Sequence, residues 1–564
     1  MPCSASVSPI LFRLFLFFSF IAGASSFGAS TIYSSTLKAK LANNKFHHCK
    51  NTRIAAAMTD LTNTNGNNNG ATQKRLVLVG GGHAHLQVIK GLNHASRPEG
   101  LDVVLVDLTN RPCYSGMVPS AVAGIYHPSE ALVDLESLAK WAKIEFVKDR
   151  VIGIDVNAKV VTTKGGRQLP FDALSMDIGS TSRGLIDVPG AKDHTIPTRP
   201  ISELVRRIEV ATDALNENNN NNPGQDEQSR VNVVVVGGGA AGIELAMGAL
   251  GRWKPIVGES NISVTVLNSF DRIFPDETPA NREALLQQLE ERGICVVNNV
   301  KVNRVDPDSV LLESGDRLGF THCLWATGAE CHSGLANALR DQQLDVSERG
   351  WICVNESFQS SSHPFVFAAG DCCTMDIPGG GRSPPKAGVY AVRAGPVLIE
   401  NLTRFLGYGN DGTSDETSSS LTKYVPQKDF LKLLACGDGK ALGFRFGIPI
   451  YGKWVFELKD AIDRSFLDLF RLENLPELEL GQSYENSQYD ASPNRPPPLP
   501  SMEAAVLLQQ SDDDVDFQKA WNVLRDMAED DAYRDNVLSH ISLAPSRDER
   551  AAVRQEELEI ETLP

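Results

Sequence analysis

Apolar runs, glycine clusters and helical patterns alternate at the start of the chain. Residues 75–79 (RLVLV) form a continuous apolar run, and a glycine cluster at 80–82 follows directly. The next apolar positions recur at helical spacing, and 101–106 (LDVVLV) form a second run that ends at Asp107. Short, wholly apolar runs are typical of parallel strands that are covered on both faces. The pattern therefore predicts a strand, a glycine turn, a helix and a second strand.

This first unit has the residue types that bind a dinucleotide. Gly80 permits a tight turn, and Gly82 lets the backbone approach a pyrophosphate. The helix that follows presents N–H groups and the positive end of its dipole to an anion. Asp107 ends the second strand, where a carboxylate can bind ribose hydroxyls. His85 replaces the third glycine of a GxGxxG motif, so the prediction depends on the surrounding strand and helix pattern.

A second unit repeats this order with a complete motif. The run 231–236 (VNVVVV) leads into Gly237, Gly239 and Gly242, and 262–267 (ISVTVL) form the next strand. Two units in one chain predict two nucleotides, of which one is held and one exchanges. Flavin plus nicotinamide is the commonest such pair, because hydride passes from one ring to the other.

The second unit differs from the first at the ribose position. Asn268 stands where an acid is expected, and a neutral residue does not repel a 2′-phosphate. Arg272 lies nearby and can pair with such a phosphate. The sequence therefore predicts that NADPH is accepted and leaves the preference between NADH and NADPH open.

Two later strands end in short signatures. Residues 323–328 end in Ala326, Thr327 and Gly328, and residues 365–371 end in Gly370 and Asp371. These resemble the ATG and GD signatures of flavoproteins with two dinucleotide-binding domains. Their order, after both glycine motifs, makes coincidence a poor explanation.

With these motifs the chain resembles the pyridine nucleotide-disulphide oxidoreductase superfamily, in the branch related to type II NADH dehydrogenases. Within that branch it is most similar to the flavoprotein that some bacteria fuse upstream of selenide, water dikinase. The resemblance covers roughly residues 73–475. The segments that carry it are 80–85, 114–119, 175–180, 385–393, 437–441 and 454–470.

The resemblance implies an α/β fold with two Rossmann-like, three-layer ββα domains, the second inserted in the first, plus a small C-terminal α+β domain. The implied FAD-binding domain takes residues 73–204 and 320–408, and the NAD(P)H-binding domain takes 205–319. A C-terminal interface domain is expected over 421–480.

The resemblance also implies which residues bind the cofactors. FAD is expected at the first unit and at the GD motif, and NAD(P)H at the second unit, with Gly179 and Gly328 closing the two crossovers. The predicted cofactor-binding residues are Gly80, Gly82, His83, Asp107, Gly179, Gly237, Gly239, Gly242, Arg272, Gly328, Gly370 and Asp371.

Three side chains are candidates for catalysis. The family places the segment after Pro385 at the start of a helix aimed at the flavin, which makes Lys386 and Tyr390 candidates. Glu244 follows the second glycine motif, where the superfamily often has a carboxylate near the nicotinamide. The alternatives are core packing for Tyr390, a solvated helix start for Lys386, and a carboxylate favoured by the helix dipole for Glu244.

The chain departs from its relatives at two motifs. Disulphide reductases carry a CxxxxC after the first helix, whereas only Cys113 lies in that area here. A dithiol relay is therefore not expected. The AQ motif of quinone-reducing relatives is replaced by residues 387–390 (AGVY), which weakens the expectation of a quinone acceptor.

His83 and His85 border the predicted phosphate turn. They are candidates for hydrogen bonds to phosphate or for proton transfer, and the alternative is packing beneath the cofactor. Because neither has acidic or cysteine partners at ligand spacing, no metal site is predicted.

The first 72 residues have the pattern of a targeting sequence. Residues 1–26 read as a signal peptide, with Arg13 before the apolar run 14–22 and small residues after it. Residues 27–72 read as a transit peptide and linker, and Asp60 is the first acidic residue of the chain. This combination predicts a plastid address of the secondary-plastid type. The mitochondrion and the secretory pathway are the alternatives.

The C-terminal region has one amphipathic helical pattern and a polar end. Apolar residues recur at helical spacing from Trp454 to Leu469, and the polar face is expected to be acidic, through Glu457, Asp460, Asp463 and Asp468. That favours a core or homodimer face over a peripheral membrane contact, because interfacial helices are usually basic. Residues 481–564 read as a proline-rich linker and an acidic tail.

The overall composition narrows the function. The 564 residues carry a formal charge of −16, so nucleic acid is not an expected partner. The sequence predicts an FAD-dependent enzyme that takes hydride from NAD(P)H and passes two electrons to a quinone-like small molecule. A flavoprotein that oxidises sulfide or a selenium compound, and a non-catalytic nucleotide-binding flavoprotein, are the alternatives.

Overall fold

The apolar runs of the sequence become the central strands of two parallel sheets. The structure, a computed structural model, describes residues 73–221, 230–378, 381–407, 421–426, 430–445 and 447–477. All of these belong to one unit of the chain, Asn65–Pro564. The predicted presequence (1–72) and the predicted tail (481–564) lie outside the described residues.

The strands within these ranges follow one another in chain order. They are β1 Lys74–Val79, β2 Leu101–Asp107, β3 Glu145–Lys148, β4 Val151–Asp155, β5 Val160–Thr163, β6 Gln168–Pro170, β7 Ala173–Met176, β8 Thr181–Ser182, β9 Ile196–Pro197, β10 Val231–Val236, β11 Ile262–Leu267, β12 Ile294–Val297, β13 Val302–Val305, β14 Ser309–Leu312, β15 Arg317–Gly319, β16 His322–Trp325, β17 Ala329–Glu330, β18 Ile352–Val354, β19 Val366–Ala368, β20 Cys373–Met375, β21 Lys432–Ala435, β22 Ala441–Arg445 and β23 Ile448–Gly452.

The α-helices connect or cover these strands. They are α1 His83–Gly91, α2 Val118–Val122, α3 Leu135–Trp141, α4 Ala191–His194, α5 Ile201–Asn221, α6 Ala240–Val257, α7 Pro279–Glu291, α8 Ser333–Asp341, α9 Gly388–Phe405 and α10 Lys453–Asp468.

The first sheet has five parallel strands in the order β19-β7-β1-β2-β3. Its central strand β1 buries Leu76, Val77 and Leu78 completely, as expected for a strand with cover on both faces. Helices α1 and α9 pack closely against each other. Gly395 permits this approach, because a Cβ there would lie 2.6 Å from the Gln87 side chain.

The second sheet also has five parallel strands, in the order β12-β11-β10-β16-β9. Its strands fall between β7 and β19 of the first sheet along the chain, so the second domain is inserted in the first, which confirms the predicted fold. The sheet includes β9 and β16, and it therefore extends beyond the predicted limits of 205–319 at both ends.

Each parallel sheet is accompanied by a small antiparallel sheet, β4-β5-β6 in the first domain and β13-β14-β15 in the second. A third antiparallel sheet, β21-β22-β23, packs with α10 in the C-terminal region. Among the described helices, none combines the length and the apolar character that a membrane crossing requires.

The C-terminal helix α10 differs from its predicted pattern on one face. Leu458, Ile462 and Phe466 are buried as expected. Two acids of the predicted acidic face, Asp460 and Asp463, are also buried, at 0% and 4% exposed. Both are buried because basic residues one turn along the helix, Arg464 and Lys459, pair with them.

Candidate functional site

The first glycine turn lies at the carboxyl edge of the first sheet, between β1 and α1. Gly80 has φ +91°, a conformation that side chains rarely adopt, and a Cβ there would overlap the backbone of Asp177. Gly82 caps α1 and has no Cβ to collide with the Asp177 carboxylate. The two glycines therefore let the segment after β7 pack directly under the turn.

Asp107 is bound into this turn from the end of β2. Its Oδ2 accepts the N–H of Gly81 at 2.6 Å, and its Oδ1 accepts the N–H of Thr109 at 2.8 Å. Burial raises the pKa of Asp107, although these N–H donors act in the opposite direction. The predicted ribose-binding carboxylate thus lies at the turn, as its position after the strand requires.

His85 has a structural role in the turn. Its ring is fully buried, with Nδ1 2.6 Å from the Gly80 carbonyl oxygen and Nε2 2.8 Å from Ser175 Oγ. Burial lowers the pKa of His85 to about 4, so the ring is neutral at physiological pH. A histidine can therefore replace the third glycine of the motif here, because its ring forms hydrogen bonds both at the end of β1 and in β7.

His83 faces a different group of side chains. The centre of its ring lies 5.2 Å from that of Tyr114 and 5.7 Å from that of Phe466, and both contacts are edge to face. The protein environment lowers the pKa of His83 to about 4, mainly by desolvation. The structure places this predicted cofactor-binding residue beside an aromatic cluster that includes the C-terminal helix.

The GD motif follows β19 at the same edge. Asp371 pairs with Arg199 at 3.0 Å and accepts a hydrogen bond from Ser180 Oγ at 3.2 Å. A Cβ at Gly370 would lie 2.5 Å from Asp177 Oδ1. The edge therefore brings together three carboxylates, Asp107, Asp177 and Asp371, of which the sequence predicted the first and the third.

A small cavity of about 10 Å³ opens beside this edge. Gly179, His332, Leu335 and Cys372 are among its lining residues. A Cβ at Gly179 would have no atom within 4 Å. The predicted crossover glycine therefore borders free space next to the GD motif, although the cavity itself is no larger than about one water molecule.

The second glycine turn lies at the carboxyl edge of the second sheet, between β10 and α6. Gly237 has φ +123°, and a Cβ there would overlap the carbonyl of Ala326. Gly242 approaches the Gly237 carbonyl too closely for any side chain. A Cβ at Gly239 or at Gly328 would have no atom within 4 Å. Packing within the protein therefore does not explain either glycine.

The ribose position of this turn holds a neutral side chain. Asn268 is 3% exposed, and its Nδ2 donates to Asn298 Oδ1 at 2.8 Å and to the Phe270 carbonyl at 3.2 Å. Arg272 is exposed and pairs with its neighbour Asp271 at 2.6 Å. The predicted phosphate-binding arginine is thus on the surface near the second turn, beside an acid.

Glu244 lies in α6, two residues after Gly242, the last glycine of the second motif. Its Oε1 accepts the N–H of Ala435 at 2.9 Å. Burial raises the pKa of Glu244 to about 7, although the positive charge of Lys459 lowers it. The side chain can therefore hold or release a proton near neutral pH.

Lys459 is a site residue that the sequence analysis missed. Its Nζ donates to Asp463 Oδ2 and to the Gly116 carbonyl, each at 2.6 Å, and the residue is 6% exposed. Burial opposes its charge, but Asp463 and Glu244 raise the pKa of Lys459. These contacts connect the C-terminal helix to the first domain. The positive charge of Lys459 also lowers the pKa of Glu244 in the second domain.

The two candidates near α9 lie in different surroundings. Lys386 precedes the helix, which begins at Gly388 rather than directly after Pro385. Its Nζ donates to the Cys373 carbonyl and lies 4.5 Å from the ring centre of Trp351. Tyr390 is buried in the first turn of α9, with its ring 5.7 Å from that of Phe430.

Comparisons with known proteins agree with this architecture. The family model described as pyridine nucleotide-disulphide oxidoreductase matches residues 74–395. The type II NADH:quinone oxidoreductase of Staphylococcus aureus strain NCTC 8325 is 25% identical over 409 residues, which are 69% of this chain and 94% of that protein.

Two solved structures show the same fold. The sulfide:quinone oxidoreductase of Aquifex aeolicus aligns with a TM-score of 0.56 at 19% identity, over 70% of this chain and 90% of that one. NDH2 of Plasmodium falciparum in complex with NADH aligns with a TM-score of 0.59 at 12% identity, over 72% of this chain and 100% of that one. The chain therefore belongs to the pyridine nucleotide-disulphide oxidoreductase family and is an NAD(P)H-dependent flavin oxidoreductase.

Proposed function

We propose that the chain is an FAD-dependent NAD(P)H oxidoreductase that passes two electrons from NADH or NADPH to a quinone or a similar small acceptor. One observation carries the proposal. Two parallel sheets of the same chain each end in a glycine turn that opens a helix N-terminus, after β1 and after β10. Such a helix end binds the pyrophosphate of a dinucleotide.

The first site fits FAD by the chemistry of its donors and acceptors. Asp107 would bind ribose hydroxyls, Asp371 would bind the hydroxyl-bearing chain of the cofactor, and Gly179 borders free space beside them. A bound flavin supplies hydride acceptance and two-electron redox chemistry, which protein side chains lack. The chain's own contribution is to bind, orient and shield the reacting groups.

The second site fits a nucleotide that exchanges. Gly239 faces open space at the N-terminus of α6, and Asn268 offers no negative charge against a 2′-phosphate. We propose that both NADH and NADPH are accepted. Glu244, with a pKa near neutrality, is the candidate to hold a proton at its carboxyl group on this side.

A quinone-like acceptor is supported by the relatives. The Staphylococcus aureus relative is named an NADH:quinone oxidoreductase, and the Aquifex aeolicus structure is that of a sulfide:quinone oxidoreductase. Both names include a quinone, although this chain has residues 387–390 in place of the AQ motif. The catalytic roles of Lys386 and Tyr390 belong to this proposal as well.

Four cysteines of the described residues are poorly suited to thiol chemistry. Burial raises the pKa of Cys113, Cys323, Cys373 and Cys436 to about 12. Since the thiolate is the nucleophile, these side chains are unreactive at neutral pH. Oxidation of sulfide or a selenium compound through a cysteine is therefore less well supported than direct electron transfer to a small acceptor.

Four further features stay proposals that rest on the sequence. They are the similarity to the flavoprotein fused to selenide, water dikinase, the plastid location, peripheral membrane contact and a homodimer. The proposed plastid address depends on residues 1–72, which lie outside the described ranges.

Anaerobic titration of the purified full chain tests the proposal. We expect about one FAD per chain, loss of the flavin's visible absorbance on addition of NADH or NADPH, and its recovery on addition of a soluble quinone. Recovery with polysulfide but not with quinone would favour the sulfur-linked alternative. A colourless protein that does not take up FAD would contradict the proposal.

A further inference from the structure

Asp177 occupies the place where the first helix offers its N–H groups to an anion. Its Oδ2 accepts the N–H of Ala84 at 2.9 Å and the N–H of His85 at 3.2 Å. Helix α1 has no acidic residue in its first turn, and its capping residue Gly82 contributes no side-chain hydrogen bond. The carboxylate that stabilises the positive end of α1 therefore comes from the segment after β7, 93 residues away.

The surrounding glycines make room for this carboxylate. A Cβ at Gly82 would overlap the Asp177 carboxyl group, and a Cβ at Gly370 would lie 2.5 Å from its Oδ1. Asp177 is 3% exposed, so water does not stabilise its charge. Close packing at these two glycines thus serves a side chain of the protein as well as any ligand.

The charges around Asp177 are mostly negative or absent. Asp107 faces it from β2 and Asp371 from the segment after β19, and both disfavour its ionised form. Cys372 and Cys373 lie on the same segment with thiols of raised pKa, and buried His85 is neutral. Of the cations on the neighbouring segments, Arg199 pairs with Asp371, and Lys386 donates to the carbonyl oxygen of Cys373.

We propose that Asp177 is a resident anion that competes with the phosphates of the dinucleotide for the N-terminus of α1, so that cofactor binding requires its protonation. This inference rests on the proposed function, since it assumes that FAD binds at the first turn. Two anions cannot share the same pair of N–H donors in a buried site. Protonation of Asp177 removes one of them.

The buried carboxyl group is suited to this role because desolvation raises the pKa of Asp177 to about 7. The fraction of protein able to bind the cofactor is then the protonated fraction, and the apparent Kd rises as that fraction falls. From pH 6 to pH 8 the apparent Kd for FAD is expected to increase about tenfold.

The test measures FAD binding to the full chain after the flavin has been removed, by quenching of flavin fluorescence at pH 6, 7 and 8. Wild type should show the tenfold weakening. Asp177→Asn keeps the shape of the side chain without its charge, so it should bind FAD at pH 8 about tenfold more tightly than wild type, with little dependence on pH. Asp172→Asn, the same change at an exposed position near the start of β7, should behave like wild type.

A second measurement uses the wild-type protein alone. Calorimetry of FAD binding at pH 8 in two buffers of different ionisation enthalpy should detect uptake of nearly one proton per FAD. No proton uptake, or FAD affinity that is equally independent of pH in wild type and Asp177→Asn, would overturn the inference while leaving the proposed function intact. Absence of FAD binding in all variants at every pH would instead reject both.

Discussion

The two glycine turns of this chain have the same backbone plan but different surroundings. In the first turn, Gly82 packs against the carboxylate of Asp177, and Asp107 binds the loop from the end of β2. In the second turn, Gly239 faces open space, and the corresponding strand end carries the neutral Asn268. The first turn is enclosed by buried acidic groups, whereas the second is accessible.

This difference matches two kinds of ligand. An enclosed site in which Asp107 is already oriented by N–H groups is suited to a cofactor that stays bound, once protonation of Asp177 has freed the N-terminus of α1. An accessible glycine at a helix N-terminus is suited to a nucleotide that enters and leaves in each turnover. The same motif can thus be adapted to retention or to exchange by the residues at the ends of its neighbouring strands.

The largest effect on stability is expected at Lys459, which links the C-terminal helix to the two nucleotide-binding domains. Lys459→Met removes the cation that interacts with Asp463 and Glu244, so both buried carboxyl groups lose their positively charged partner. Breaking a buried ion pair in this way should lower the free energy of unfolding by about 3–5 kcal/mol. Denaturant unfolding measures this, with Lys192→Met at an exposed position as the control. A loss below about 1 kcal/mol would mean that the junction does not depend on this charge.

The second turn itself offers a matched pair of variants. Gly237→Ala combines a strained φ with a clash against Ala326, so it should destabilise the protein by about 1–3 kcal/mol. The added Cβ of Gly239→Ala would contact no protein atom, so the stability of this variant should stay within about 0.5 kcal/mol of wild type. NAD(P)H should nevertheless bind to it more weakly. Thermal unfolding and KM report the two effects. Equal destabilisation by both variants would remove the structural distinction between these glycines.

A pH-dependent effect is expected at Glu244. Because burial raises its pKa to about 7, the folded protein holds this proton more tightly than the unfolded chain does. Its stabilising contribution is complete below the ordinary pKa of the group and is lost as pH rises through 7.

Glu244→Gln cannot ionise, so its free energy of unfolding should rise relative to wild type by on the order of 2 kcal/mol between pH 5 and pH 8. Denaturant unfolding of both proteins at the two pH values checks the sign. A difference that is the same at pH 5 and pH 8 would show that Glu244 does not titrate in this range.

The smallest effect concerns nucleotide preference. Arg272→Ala should reduce kcat/KM for NADPH by roughly fivefold, because an exposed ion pair with a 2′-phosphate is weak. The value for NADH should hardly change, which makes NADH the internal control. An equal fall for both nucleotides would place the effect of Arg272 elsewhere in the site.

Much of the fold could be predicted from local patterns. The runs at 231–236 and 262–267 become β10 and β11 with the same limits, and β1 begins one residue earlier than expected. Wholly apolar runs flanked by glycine turns have few alternative structures, so their prediction is robust. The C-terminal helix was also predicted, but not the burial of Asp460 and Asp463, because pairing in a core leaves no periodic signal in the sequence.

The site was predicted only in part, for a related reason. Glycines and acids at strand ends have a fixed meaning in the motif, and the structure brings Asp107 and Asp371 to one edge as expected. Asp177, Arg199 and Lys459 act through contacts with residues distant in sequence, which no local pattern encodes. An acid at the end of the apolar run 173–176 was the one signal that could have revealed Asp177.

We propose that the first turn retains FAD, whereas the second turn binds NAD(P)H. Flavin content and anaerobic bleaching by NADH and NADPH, measured side by side in Asp371→Ala and Gly239→Val, test it most directly. We expect Asp371→Ala to lose FAD, whereas Gly239→Val should keep about one FAD per chain that neither nucleotide bleaches at the wild-type rate. Full flavin content in Asp371→Ala together with normal bleaching in Gly239→Val would contradict it.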